Sequence, residues 1–84
     1  MTEEDAQTLA LRALAFVAEE PDRLGRFLAL SGCGPADLRE RIGYPAFLGG
    51  VLDFLIGHEP DLIAYADWAG IDPELPVAAR RRLP

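Results

Sequence analysis

The chain has no lysine and no asparagine, and only one cysteine, one histidine and one tryptophan among its 84 residues. A lone cysteine, Cys33, excludes an internal disulfide, so the fold is expected to hold without oxidation, in a cytoplasmic setting. A lone histidine, His58, leaves no second imidazole for a metal site of the usual His/Cys spacing, and no metal or cofactor is expected. Isoleucine and valine number only four and three, beside 13 leucines and 13 alanines. With no β-branched alternation anywhere, a sheet is excluded. Long hydrophobic runs are missing too. The longest, Leu9 to Ala18, is interrupted by Arg12 and is shorter than the roughly 18–20 apolar residues that cross a bilayer, so no membrane role is expected. The opening Met1-Thr2-Glu3-Glu4-Asp5 is the reverse of a basic secretory leader.

What is present is apolar and acidic. Half the residues are hydrophobic, and 14 acids against 8 arginines leave a net charge of −6. That balance is too apolar for disorder and fits a single domain over residues 1–84. A domain this size buries only about 60–65% of the surface its unfolded chain exposes, which leaves little interior for an enclosed catalytic pocket. The charges are segregated. Residues 44–75 hold six acids and no base, whereas residues 76–84 hold three arginines and no acid. An acidic body argues against a broad nucleic-acid surface, with a local contact through the tail as the exception.

Proline and glycine divide the chain at regular intervals. Proline suits the first helical position, where its missing N–H would be unpaired anyway, and glycine suits the left-handed position just past a helix. Reading with that asymmetry predicts helices from Glu3 to Glu19 with Thr2 as N-cap, from Pro21 to before Gly32, from Pro35 to before Gly43, from Pro45 to near Gly57, and from Pro60 to before Gly70. Asp72 then caps a last turn or short helix. The predicted fold is all-α, a compact globule of about five short crossed helices plus that C-terminal piece.

Two of these helices are apolar nearly all round. The first confines Asp5, Thr8, Arg12 and Glu19 to one strip, at about 100° per residue. The fourth has Asp53 as the only charge among Phe47, Leu48, Gly49, Gly50, Val51, Leu52, Phe54, Leu55 and Ile56. Two such helices strain the capacity of so small a domain to enclose them, which points to apolar surface left for a partner. Phe47, Val51, Phe54 and Trp68 are the expected partner-binding anchors. Gly49 and Gly50, each costing about 1 kcal/mol relative to alanine in a helix, are expected to admit the alanine surface of the first helix (Ala6, Ala10, Ala13).

Chemistry-bearing constellations are few. Cys33 precedes a helix N-terminus, a place that lowers a thiol pKa. No spacing ties it to His58 and no third orienting group is visible, so an enzyme is not expected. His58 is expected at the C-terminal end of the fourth helix, where a cation meets the dipole favourably. Gly32 and Gly34 form no phosphate loop, because no Gly-Lys-Ser/Thr follows. Ala66 to Asp72 resembles the turn of a helix-turn-helix, with Arg80, Arg81 and Arg82 beyond it as candidate phosphate contacts. Pro73 and Pro76 would shorten a recognition helix there, and Asp72 and Glu74 would repel DNA.

Ala6-Gln7-Thr8-Leu9-Ala10-Leu11-Arg12-Ala13-Leu14, Leu24-Gly25-Arg26-Phe27-Leu28, Phe47 through Leu55 and Ala69-Gly70-Ile71 together resemble a family of short bacterial, chiefly alphaproteobacterial, proteins described only as a domain of unknown function. The resemblance covers nearly the whole chain. It implies a stand-alone, all-helical cytoplasmic domain, and carries no activity, cofactor or catalytic residue. The functional expectation is a protein-protein interaction module using apolar surface of the first and fourth helices, toward an unknown protein partner or a second copy. The alternative is a helix-turn-helix-like DNA-binding regulator using residues 62–82.

Overall fold

Thr2 starts the fold with two reciprocal hydrogen bonds. Its hydroxyl accepts the Asp5 N–H at 3.0 Å, and the Asp5 carboxylate accepts the Thr2 N–H at 3.1 Å. This capping box satisfies two donors that a helix start leaves without partners. In the computed structural model of the chain, which describes residues 1–84, α1 follows as Glu3–Ala18. Pro21 opens α2 (Pro21–Ser31), and Gly32 ends it in the left-handed region at φ 68°. A 3₁₀ turn at Pro35–Asp37 leads into α3 (Leu38–Arg41). Pro45 opens α4 (Pro45–Ile56), and α5 spans Glu59–Ala69. Gly70, at φ 69°, closes α5, and the Ile71 N–H returns to the Ala66 carbonyl at 2.9 Å, the signature of a Schellman stop. Asp72 accepts the Glu74 N–H at 2.8 Å and sets off α6 (Glu74–Arg80). There is no strand.

Four boundaries depart from the sequence reading. Helix α1 ends at Ala18 rather than Glu19, and Pro73 rather than Asp72 is the N-cap of α6. The segment from Pro35 to Gly43, expected as a helix, is a 3₁₀ turn followed by four α-helical residues. None of its residues is fully buried and only Leu38 packs against the core, too little to hold a longer regular helix. Helix α5 starts one residue early, with His58 as its extended N-cap.

One core joins these elements. Fourteen buried side chains form it, from Ala6 in α1 through Leu52 in α4 and Tyr65 in α5 to Leu83 beyond α6. Helix α1 packs on both α4 and α6, and α4 also packs on α5. The Tyr65 hydroxyl donates to the Leu9 carbonyl at 2.8 Å, 56 residues away in the chain. Burial pushes the phenol up to about 12, because the phenolate would sit without water. No basic residue occupies the last turn of α1. Arg23 of α2 supplies that cation, donating to the Phe16 carbonyl at 2.6 Å with its guanidinium 3.8 Å from the centre of the Phe16 ring. No helix is long and apolar enough to cross a membrane.

Ala6, Ala10 and Ala13 of α1 are fully enclosed, but they do not fill the space made by the paired glycines. A Cβ on Gly49 would stand 3.0 Å from Nη1 of Arg80 and 3.2 Å from the Pro84 carbonyl oxygen. The close approach is therefore by a guanidinium and the C-terminal residue. A Cβ on Gly50 would meet nothing within 4 Å. The two neighbours point a helical step of about 100° apart, one into the molecule and one out of it.

Candidate functional site

Helix α4 is apolar on more sides than its neighbours can cover. Leu48, Val51, Leu52 and Leu55 turn inward and are at most 2% exposed. The face toward α2 stays open. There Ala46, Phe47, Gly50, Asp53 and Phe54 form one wall of a groove of about 410 Å³. Phe27, Leu30 and Ser31, spaced as one face of a helix, form the other. Helix α2 meets α4 through Phe27, and the groove lies between the two helices.

The floor of the groove is aromatic. Phe27 is buried, and its ring packs edge-on against Phe47 (5.8 Å between centroids) and Phe54 (5.4 Å). Phe47 and Phe54 are half-buried and sit on either side of Gly50. Leu30 rises at the edge with 78% of its surface exposed, the highest value for any large apolar residue in the protein.

Charged groups flank the Phe54 end of this apolar strip. Asp53 accepts Nε of Arg80 at 2.7 Å, and Arg80 in turn donates to the carbonyls of Leu83 and Pro84. Beside Phe54, the Arg26 guanidinium lies 5.5 Å from the ring centre and donates to Asp61 at 3.0 Å. Nδ1 of His58 meets the same Asp61 carboxylate at 3.0 Å. His58 is thus bound up with the first turn of α5 as well as following the end of α4.

The structure brings together two of the four expected anchors. Phe47 and Phe54 share the groove. Val51 is a correction: it is wholly enclosed and belongs to the core, because its position on α4 faces inward. Trp68 lies elsewhere, 44% exposed and packed against Phe16 (5.6 Å) and Tyr65 (6.1 Å). The expected contribution of α1 is also corrected. Its apolar residues are mostly enclosed, Leu11 being the large one left 42% exposed, and none lines the groove. Sequence reasoning missed Phe27, Leu30 and Gly50 as groove residues. The available signal was the i, i+3 pair Phe27 and Leu30, which puts two large apolar side chains on one face of α2.

The other candidates are dispersed. Cys33 is buried with its thiol donating to the Gly34 carbonyl at 3.4 Å, away from the His58–Asp61 contact. Histidine, cysteine and carboxylate side chains form no group of three able to hold a metal ion. Arg80 is committed to Asp53 and to the C-terminal carbonyls, which leaves Arg81 and Arg82 as the exposed pair. A helix-turn-helix requires its two helices to pack on each other. Here α6 docks on α1 and α4 and scarcely on α5. Among known proteins, a family model described as "Protein of unknown function (DUF3572)" matches residues 3–84. No curated protein and no solved structure matches the chain.

Proposed function

The chain belongs to the DUF3572 family, whose description names no activity, and we propose on the geometry of its groove that it is a non-catalytic protein-interaction module. The observation that supports this reading is the α2–α4 groove itself. Two phenylalanines are held on a buried third, with an open glycine between them and a leucine 78% exposed at the rim. Apolar side chains in water favour a partner's apolar surface by about 25 cal/mol per Å² covered. Aromatic anchors at the centre of a concave patch are the usual hot spots of such contacts. Phe47 and Phe54 serve as anchors, Phe27 as their support and Leu30 as the rim.

The test is site-specific photocrosslinking of the full chain in its native cell. A photoreactive residue replacing Leu30 is expected to yield a discrete protein adduct. The same residue replacing Ile63, equally apolar and half-exposed but outside the groove, is expected to yield none. Identical adducts from both positions, or none from Leu30, would refute the proposal.

A further inference from the structure

Gly49 and Gly50 differ in what fills the space a side chain would take. At Gly49 the planar guanidinium of Arg80 occupies it, with Nη1 and Cζ 3.0 and 3.1 Å from where a Cβ would stand. At Gly50 nothing of the protein comes within 4 Å. Neither backbone nor packing calls for glycine there, since Gly50 lies inside α4 and is not among the glycines of positive φ. It nevertheless gives up the helix propensity that alanine would supply.

The gap it leaves is walled by rings. Phe47 and Phe54 are seven residues apart, about 10.5 Å along the axis of α4, with Gly50 between them. Phe27 stands at 70° to one and 74° to the other and closes a third side. A further ring extends this edge-to-face arrangement, which favours aromatic pairs beyond the area they cover.

The lining is also electrically closed. Asp53 is the only ionised residue that lines the groove, and it holds Arg80 at 2.7 Å. Arg26, beside the Phe54 ring, is bound to Asp61. An ion entering between the phenylalanines would shed water without meeting an unpaired countercharge, so the groove matches an uncharged group. Its volume of about 410 Å³ sits at the low end of the range for small bound groups, about 300–1,000 Å³.

Resting on the interaction reading above, we infer that the occupant is a single uncharged aromatic side chain presented by a segment of another protein. The ring enters at Gly50, between Phe47 and Phe54, as the planar guanidinium of Arg80 does at Gly49 within the chain. Leu30 covers it from the α2 rim. A second copy is the less favoured carrier. Its most exposed aromatic side chain, Tyr44 at 62%, belongs to a body of net charge −6, and like charge opposes the approach of two copies.

The experiment titrates the full chain with blocked glycine-serine peptides whose central residue is phenylalanine, cyclohexylalanine, lysine or glutamate. The Gly50 amide and Leu30 methyl signals are followed by NMR. The phenylalanine peptide is expected to shift both. It is expected to bind at least about threefold tighter than the cyclohexylalanine peptide, which is similarly large and apolar but has no π face. The lysine and glutamate peptides are expected to leave both signals in place. Gly50→Leu fills the gap from its own floor and is expected to weaken the phenylalanine peptide at least about tenfold. Its thermal midpoint is expected to be no lower than the wild type's, because the added side chain starts in open space. Leu30→Ser, at a position 78% exposed, is the second variant and is expected to weaken the peptide at least about threefold without unfolding the chain. No shift from the phenylalanine peptide overturns the inference, as does a cyclohexylalanine, lysine or glutamate peptide that binds as tightly. Binding that survives both Gly50→Leu and Leu30→Ser overturns it too. A dimer seen by sedimentation and abolished by Tyr44→Ala makes a second copy the carrier and overturns the other protein. The two levels fail separately. Loss of the preference for phenylalanine alongside a persisting Leu30 crosslink removes the ring and leaves the interaction module, whereas absence of that crosslink removes the module itself.

Discussion

Helix α4 has two unlike sides. Toward α1, α5 and α6, its Leu48, Val51, Leu52 and Leu55 are enclosed. Toward α2, its Phe47, Gly50 and Phe54 border open space. Both sides carry large apolar side chains, with Asp53 the one charge on the open side, so hydrophobicity alone does not separate them. The number of neighbours does: three helices pack on one side, and α2 alone stands on the other, with the groove between. The inward side holds the molecule together, and the outward side is apolar surface available to something else.

The sharpest way to break this comparison is to truncate one residue on each side. Leu52→Ala is expected to cost about 2–5 kcal/mol, a large share of the stability of a domain this small. Leu30→Ala, at an exposed position, is expected to stay within about 0.5 kcal/mol. Urea denaturation of the two variants measures the difference, and comparable losses would remove the distinction.

The adjacent glycines sharpen it further. Gly50→Ala adds a methyl where nothing stands within 4 Å and is expected to stabilise by up to about 1 kcal/mol through helix propensity. Gly49→Ala gains the same propensity. It must also displace the Arg80 guanidinium and the Pro84 carbonyl, at 3.0 and 3.2 Å from the new carbon. It is expected to fall short of Gly50→Ala by about 1 kcal/mol or more, on the usual scale of overpacking costs. Thermal midpoints decide the order.

On the closed side, Tyr65→Phe removes the hydroxyl that donates to Leu9 and is expected to cost about 1 kcal/mol. It also tests a pH dependence. The phenol's value is raised in the fold from 10.0 to about 12, so its stabilisation is complete below pH 10.0 and lost as pH rises toward about 12. The wild-type chain should lose stability across that window, and Tyr65→Phe should lose less.

The smallest effect lies at the N-terminus of α1. The Thr2 backbone N–H, and then its hydroxyl, hold the Asp5 carboxyl below its ordinary value of 3.8. A lowered value stabilises the fold above 3.8, and that contribution disappears as pH falls through the folded value. Asp5→Asn is expected to flatten the acid end of the stability profile slightly, measurable by denaturation at a series of acidic pH values.

The local punctuation was readable in advance. Thr2 with Asp5, Pro21, Gly32, Pro45 and Gly70 all mark helix limits where the structure has them. Phe47 and Phe54 were legible as anchors because they are large and apolar on a helix with too many such residues. Val51 was misread for the same reason, since composition does not tell which side of an apolar helix faces inward. The Gly49–Arg80 contact joins segments far apart in sequence, and no short-range pattern announces it. The α2 half of the groove went unread because Leu30 alone looks like any surface leucine.

The amino-acid sequence alone determined that the chain is helical and where most helices begin and end. Caps and stops act between residues no more than about five positions apart, within one turn of backbone. Only the tertiary structure decided which apolar face is sealed and which is open. Burial depends on contacts such as Tyr65 to Leu9, 56 residues apart, and Arg26 to Asp61, 35 apart. The groove likewise joins Phe27 and Leu30 of α2 to Phe47 and Phe54 of α4, residues that lie too far apart in the chain for any local pattern to bring together.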